Sequence, residues 1–158
     1  KHFTLEDAYA PLWPLSTEDN TPDAESKDHI IESIENLLDP LQEAWSQLCA
    51  SKGIERDNLM ISSGYRCREL NKRMKESSTS AHTIGYAFDL FPANRLIMDF
   101  RKFCKDYLSD KPFDQLISEQ EDNSGIPSWI HIGYKDHQGR QHRRMLSMRE
   151  GHYYLWEE

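Results

Sequence analysis

Two histidines and one aspartate have the residue types and the spacing of a metal site. His82 and Asp89 lie seven residues apart on either side of Gly85, and His131 follows downstream in the stretch Ser-Trp-Ile-His-Ile-Gly-Tyr. Two imidazoles and one carboxylate are a known ligand set of catalytic zinc, which keeps its fourth position for water. A single histidine is more often structural or exposed, so that alternative stays open on these residues alone. We expect the other histidines to be structural or exposed: His2, His29, His137, His142 and His152.

Two predicted strands would aim the candidate ligands away from a hydrophobic core. In residues 86–91, Asp89 alternates with the bulky apolar Phe88 and Leu90 and shares its face with the small residues Gly85 and Ala87. In residues 129–134, His131 lies on the face opposite Ile130 and Ile132. Successive side chains of a strand point to opposite faces, so two neighbouring strands would place Asp89 and His131 on one surface of a sheet.

The rest of the chain predicts an α+β domain. Apolar residues recur at three- and four-residue steps from Asp28 to Gly53, which indicates helix. Pro40 interrupts it, either as a kink or as the start of a new helix with Pro40 in its first turn. We expect further helices near residues 66–75 and 94–108, strands near 59–62, 113–119 and 152–156, and a charged loop at 135–144. The predicted fold is a small, mostly antiparallel sheet with helices packed on one side and the metal site on its open face.

Bulk composition narrows the possible functions. A chain of 158 residues is expected to form a single domain, 1–158, here with an irregular N-terminal arm at residues 1–27. The net charge of −8 argues against a nucleic-acid binder, and no apolar run approaches the roughly 18 residues that span a bilayer. The three cysteines have no CxxC spacing, so we expect buried thiols. We expect a monomer.

Three motifs in fixed order carry a family resemblance. They are S-G-Y-R-x-x-x-L-N from Ser63, S-x-H-x-x-G-x-A-x-D from Ser80, and W-x-H from Trp129. Together they resemble the zinc D-Ala-D-Ala carboxypeptidase and endopeptidase family that cuts bacterial peptidoglycan, whose fold is shared by the hedgehog signalling domain. The resemblance runs from about Asp19 to Tyr134 and is greatest to the short peptidases of phages and bacteria.

The resemblance implies a role for individual residues. The zinc ligands of the family fall on His82, Asp89 and His131, which would hold one ion. Its substrate-binding arginine falls on Arg66, whose planar guanidinium suits a terminal carboxylate or a developing oxyanion. Ser80, in the S-x-H position, either binds substrate or caps its loop.

The general base is where this sequence departs from the family. Many members place an acid three residues before the last histidine, and here that residue is Ser128. Serine cannot accept a proton from metal-bound water near neutral pH. Glu119 is the leading replacement, with Glu121 and Asp122 as alternatives. Against Glu119, simple alternation puts it on the same face as the apolar Phe113 and Ile117, so a bulge would be needed to turn it toward the metal.

The resemblance therefore implies zinc-dependent hydrolysis of an amide in peptidoglycan stem peptides. The bond is either D-Ala-D-Ala or an L-Ala-D-Glu or cross-bridge amide, and the sequence does not decide between them. The alternative function is a zinc-containing binding module without catalysis, as the hedgehog domain illustrates. A protein that acts on the cell wall works in the periplasm, outside the cell or by delivery from a phage.

Overall fold

The computed structural model of the protein describes residues 2–10 and 19–156, and its centre is one six-stranded sheet. The strands are β1 (Leu59–Ser63), β2 (Ala87–Pro92), β3 (Gln115–Glu119), β4 (Trp129–Gly133), β5 (Arg144–Arg149) and β6 (His152–Leu155). Their spatial order is β1-β2-β4-β3-β5-β6. All neighbours pair in the antiparallel sense except β3 and β5, which are parallel. The prediction of a mostly antiparallel sheet is confirmed.

Four α-helices accompany the sheet in the described part of the chain. They are α1 (Ala24–Ser33), α2 (Asp39–Ser51), α3 (Arg68–Arg73) and α4 (Ile97–Leu108). Short 3₁₀ turns lie at Glu6–Ala8 and Ala81–Ile84. α1 begins inside the segment predicted to be irregular, because Asp23 caps it by accepting a 2.8 Å hydrogen bond from Ser26 N.

A new helix, α2, begins at Asp39 with Pro40 in its first turn, which is one of the two alternatives predicted there, and a π-helical segment, Ile34–Leu38, lies between α1 and α2. Proline has no N–H to donate to the carbonyl four residues back. Just before it, Asp39 N–H donates instead to Ile34 O, five residues back. Pro40 then lies in the first turn of α2, where a missing N–H costs little.

The helices pack on one face of the sheet and leave the other face for the candidate ligands. The helix-side face of the central strands is fully buried and apolar: Phe88, Leu90, Leu116, Ile130 and Ile132. From α2 and α4, Trp45 and Phe100 meet edge-to-face in this core with ring centroids 5.2 Å apart. Alternation along β2 and β4 then requires Asp89 and His131 to point to the opposite face.

The strand β5 and the packing of the N-terminal residues were not predicted. β5 occupies residues expected to end a charged loop or to connect to the last strand. Near the N-terminus, Phe3 and Ala8 are buried, and Ala8 O accepts a 2.7 Å hydrogen bond from Tyr65 N. The three cysteines are buried free thiols, as predicted. Among the described residues, none of the helices is long and apolar enough to cross a membrane.

We expect Gly64→Ala to destabilise the fold. A Cβ atom at residue 64 would lie 2.1 Å from Ala8 O, a backbone atom that cannot rotate away. The N-terminal turn would have to separate from the end of β1, and the free energy of unfolding should fall by about 1–3 kcal/mol in a denaturant titration. Gly133→Ala is the control, since its Cβ would meet nothing closer than 3.8 Å. Equal stability of the two variants would contradict this packing.

Candidate functional site

Strand pairing brings two of the predicted ligands side by side. Asp89 on β2 and His131 on β4 are direct partners in the antiparallel register. His82 comes from the 3₁₀ turn Ala81–Ile84, which ends at Gly85 with a left-handed φ of 88°. A Cβ at Gly85 would also lie 2.7 Å from Ser26 O on α1, so only glycine permits this tight approach.

The three side chains converge on one point. Asp89 Oδ1 lies 3.4 Å from His82 Nε2 and 3.1 Å from His131 Nδ1. Zinc bonds of 2.0–2.1 Å in a tetrahedral arrangement place neighbouring ligand atoms about 3.3 Å apart. All three residues are buried, with at most 9% of their surface exposed. The geometry therefore fits a small divalent cation with open positions for other ligands.

The hydrogen bond of the His82 ring fits a cation bound between these groups. His82 Nδ1 lies 2.8 Å from Gly64 O, so this nitrogen carries the proton. In the neutral ring, Nε2 then points a lone pair at a carboxylate oxygen. Two acceptors that face each other in a buried site repel unless a cation lies between them. His131 Nε2 is also buried and lacks a hydrogen-bond partner in the described part of the chain.

Burial and charge keep these groups in metal-binding protonation states. Burial lowers the pKa of His82 and so favours its neutral form, against the opposing charge of Asp89. Burial alone would raise the pKa of Asp89. In the absence of a metal ion, positive charge on the neighbouring His82 and His131 outweighs burial and holds the pKa of this carboxyl well below its usual range.

Glu119 lies on the same face as the metal cluster. In the β3–β4 register, Ile117 is the partner of His131 and Glu119 is the partner of Trp129. Directly paired residues point to the same side of a sheet. The face shared by Ile117 and Glu119 is therefore the site face, and no bulge is needed to turn Glu119 toward the metal cluster.

Burial of Glu119 perturbs its acidity. Only 9% of its surface is exposed, and burial raises the pKa of Glu119 to about 7, with further increases from Asp89 and Glu76 and opposing effects from His131 and Arg66. A carboxyl group with a pKa near neutrality suits proton transfer at physiological pH.

The alternative acids are engaged elsewhere. Glu121 is buried between two cations, 3.2 Å from Arg101 Nη2 and 3.3 Å from Arg149 Nε. Asp122 Oδ1 accepts hydrogen bonds from Ser124 N and Ile126 N and so closes a turn. Neither residue lines the cleft over the metal cluster.

Arg66 precedes α3 and points into the cleft, with only 4% of its surface exposed. Its Nη1 donates to Ser63 Oγ at 3.1 Å, and its Nη2 lies 4.0 Å from Glu76 Oε1. Burial lowers the pKa of Arg66, whereas Asp89, Glu76 and Glu119 oppose the shift. Its Nε is buried and has no hydrogen-bond partner among the described residues.

Ser80 and Ser128 differ in position. Ser80 caps the turn that carries His82, accepting a 3.3 Å hydrogen bond from His82 N, and it also lines the cleft. The two roles considered for Ser80 are thus compatible. Ser128 lies in the exposed loop before β4 and donates to Gln120 O, so it contributes no group to the metal cluster.

The cleft over the metal cluster has a volume of about 570 Å³ and includes residues that the sequence did not indicate. Beside His82, Asp89, His131, Glu119, Arg66 and Ser80, its lining contains Glu76, Arg144, Leu146 and Tyr153. Glu76 follows α3 in a polar stretch without periodicity, and the other three lie on β5 and β6. The sequence pattern gave little sign of the last three residues, because β5 mixes polar and apolar side chains and was not predicted as a strand.

A second acidic cluster near the cleft has a structural explanation. Asp114 Oδ1 accepts from His142 N at 2.9 Å and lies 2.6 Å from His142 Nδ1. Asp136 accepts from Gln138 N and from the backbone and side chain of Arg140. These hydrogen bonds fix the loop between β4 and β5. They engage the carboxylates of Asp114 and Asp136, unlike the cluster of His82, Asp89 and His131, where a buried imidazole nitrogen has no partner among the described residues.

The chain matches a known protein family. A family model described as Peptidase M15 matches residues 21–132, which is more than half of the chain and includes His82, Asp89, Glu119 and His131. A search of the curated proteins finds no match.

Metal-free protein should be stabilised by Glu119→Gln, and more at pH 8 than at pH 5. The folded-state pKa of about 7 exceeds the ordinary 4.5, so the folded state binds this proton more tightly than the unfolded state. The stability from that proton is fully present below about pH 4.5 and is lost as the pH rises through about 7. Glutamine does not titrate and avoids the loss.

Melting temperatures measured with a chelator present at both pH values test this expectation. Glu55→Gln removes the same charge at an exposed position and is the matched control. A gain for Glu119→Gln that is equal at pH 5 and pH 8 would contradict the burial of an ionised carboxylate.

Proposed function

The chain belongs to the peptidase M15 family of zinc-dependent metallopeptidases, and from this membership we propose that it hydrolyses an amide bond in peptidoglycan stem peptides. The observation that supports the proposal most directly is the convergence of His82, Asp89 and His131 in a cleft that Glu119 and Arg66 also line.

In this proposal His82, Asp89 and His131 hold one zinc ion. A zinc ion bound there would lower the pKa of a coordinated water to about 7 and would polarise the scissile carbonyl. The protein contributes to binding by presenting two imidazole lone pairs and an ionised carboxylate that are already gathered. The carbonyl of Gly64 fixes the tautomer of His82, as outer hydrogen bonds do for metal-ligating histidines.

Glu119 is the proposed general base. Its carboxylate shares a sheet face with His131, is buried, and has a pKa raised to about 7. It would accept a proton from the attacking water and then donate that proton to the nitrogen of the leaving amine. The raised pKa favours both transfers, because the group can gain and lose a proton at the same pH.

Arg66 is the proposed substrate-binding cation. Its guanidinium is held in the cleft wall by Ser63 and lies beside Glu76, with one buried N–H group left without a partner. A planar guanidinium can accept a substrate carboxylate in a bidentate manner or stabilise negative charge on the carbonyl oxygen. Ser80, which also lines the cleft, is the proposed neutral contact to the substrate.

The position of Glu119 favours an enzyme over a binding module. The absence of an acid at Ser128 is the feature that suggested a non-catalytic role. A buried carboxylate on the neighbouring strand and on the same face compensates for that absence. A protein that only binds its ligand does not require a buried carboxylate such as Glu119 on the face of its metal cluster, whereas hydrolysis requires a base there.

We expect His131→Ala to lose most of its bound zinc, because one of three protein ligands is removed. Elemental analysis after dialysis should find about one zinc per chain in the wild type and in His152→Ala, which changes an exposed histidine far along the chain. Full zinc occupancy in His131→Ala would exclude this residue from the ligand set.

Glu119→Gln should retain zinc and lose at least about 100-fold in turnover, since glutamine cannot accept the proton. Mass spectrometry of peptidoglycan after digestion measures both the rate and the new termini, and the masses identify the bond that is cut. Asp122→Asn is the control, because that carboxylate closes a turn outside the cleft.

Two outcomes would change the proposal. Near wild-type turnover in Glu119→Gln would transfer the role of base to another group. Absence of new termini with zinc-loaded wild type on several types of cell wall would favour the binding module instead.

A further inference from the structure

The sheet face that carries the metal cluster continues past it to the edge of the sheet. His131 pairs with Ile117 on β3, Ile117 with Leu146 on β5, and Leu146 with Leu155 on β6. Paired residues share a face, so these side chains form one row that starts at a candidate metal ligand. With strands about 4.8 Å apart, the three steps span about 14 Å, which matches about four residues of an extended peptide.

The far end of this row is apolar and exposed. Leu155 is 77% exposed and Tyr153 is 58% exposed, although both are large hydrophobic side chains. Tyr153 pairs with Met148 on the same face and lines the cleft with Leu146. Its pKa is raised mainly by partial burial and then by the charge of Glu119.

A cation flanks the row on its other side. Arg144 is the register partner of Gln115, which in turn pairs with Gly133, so its side chain belongs to the site face. It is exposed and lines the cleft. Within residues 2–10 and 19–156, its guanidinium has neither an ion pair nor a hydrogen bond, in a cleft whose lining also contains several carboxylates.

We propose that the β5–β6 hairpin is a specificity-determining subsite for the peptide substrate. Leu146 and Tyr153 contact an apolar stretch of a peptide that extends from the scissile bond across β3, and Arg144 pairs with a carboxylate of that stretch. The inference rests on the proposed peptidase function. The hairpin lies entirely outside residues 21–132, so the family match itself contains none of this subsite.

A substrate peptide fits this surface better than a second copy of the chain. The apolar row is continuous with the metal cluster, so a peptide that reaches His131 from this side must lie along it. Arg144 offers an unpaired positive charge, which complements the acidic groups of stem peptides. A second copy carries a net charge of −8 and is repelled at long range by the first.

The test compares three synthetic peptides that share one scissile bond. The first is a short core. The other two extend this core by about three residues, one on the amino side and one on the carboxyl side, and each extension carries one carboxylate. Titration calorimetry with zinc-loaded Glu119→Gln measures binding without turnover. One of the two extensions should tighten binding about tenfold. Tyr153→Ala and Arg144→Gln, each in this background, should remove most of that gain and weaken binding of the core far less.

Two control variants match these changes on other surfaces. Tyr154→Ala alters the neighbouring, similarly exposed tyrosine, which pairs with Ser147 and lies over Arg149 on the opposite face. Lys102→Gln removes one positive charge from an exposed position on α4, on the helical side of the sheet. Both controls should keep the full gain from the extension.

The outcomes separate this proposal from the proposed function. If the wild type cleaves no peptide but Glu119→Gln binds an extended peptide through Tyr153, the subsite stands and the peptidase activity fails. If neither extension tightens binding, or if the Tyr153 and Arg144 variants bind like their parent, the subsite is overturned. It is equally overturned if Tyr153→Ala only converts a dimer to a monomer in sedimentation experiments.

Discussion

The pairing of β2 with β4 sets Asp89 beside His131, and the site depends on this one contact. A buried carboxylate is costly unless cations or donors surround it. Here two imidazoles approach the same oxygen, at 3.4 and 3.1 Å, while one of them is held by a backbone carbonyl. Gathering these groups costs free energy, which the packing of the domain offsets, because β4 is central in the sheet and Ile130 and Ile132 on its other face are fully buried.

Support for the third ligand comes from residues far away in sequence. Gly64 O fixes the proton of His82, and the next residue, Tyr65, donates its backbone N–H to Ala8 O. Asn20 adds a second tie, because its side chain donates to Tyr9 O and Tyr65 O and accepts from Cys67 N. The segment that carries Arg66 is therefore held by hydrogen bonds on both sides, which limits how far its guanidinium can move.

Local patterns predicted five of the six strands in the described part of the chain and missed β5. His131 lies between Ile130 and Ile132, so these three residues were enough to predict that its side chain points away from the core. Ile117 misled the same argument, because an apolar side chain was taken to mark the core face. Residues on both faces of β3 are buried, under the helices on one side and at the floor of the cleft on the other. Alternation of polar and apolar residues therefore does not reveal which face of β3 belongs to the core. β5 has mixed polarity between arginines, and its parallel partner lies more than twenty residues earlier, beyond the reach of a local pattern. The roles of the site residues themselves remain predictions that rest on chemistry and resemblance.

The parallel pairing of β3 with β5 has a consequence for how such a cleft can vary. Because β4 lies on one side of β3 and β5 on the other, residues 134–143 must cross over the start of β3, where Arg143 N bonds to Phe113 O and Arg144 N to Asp114 O. This crossover supplies Asp136 to the cleft and delivers the hairpin, yet it contributes nothing to the metal cluster. His137 is its one described tie to the turn that carries His82, with Nε2 3.1 Å from Ser80 O, so insertions or deletions after His137 would reshape the rim while the cluster stayed intact. The fold is in this sense modular: one half of the sheet face is constrained by chemistry, and the other is free to diverge with the substrate.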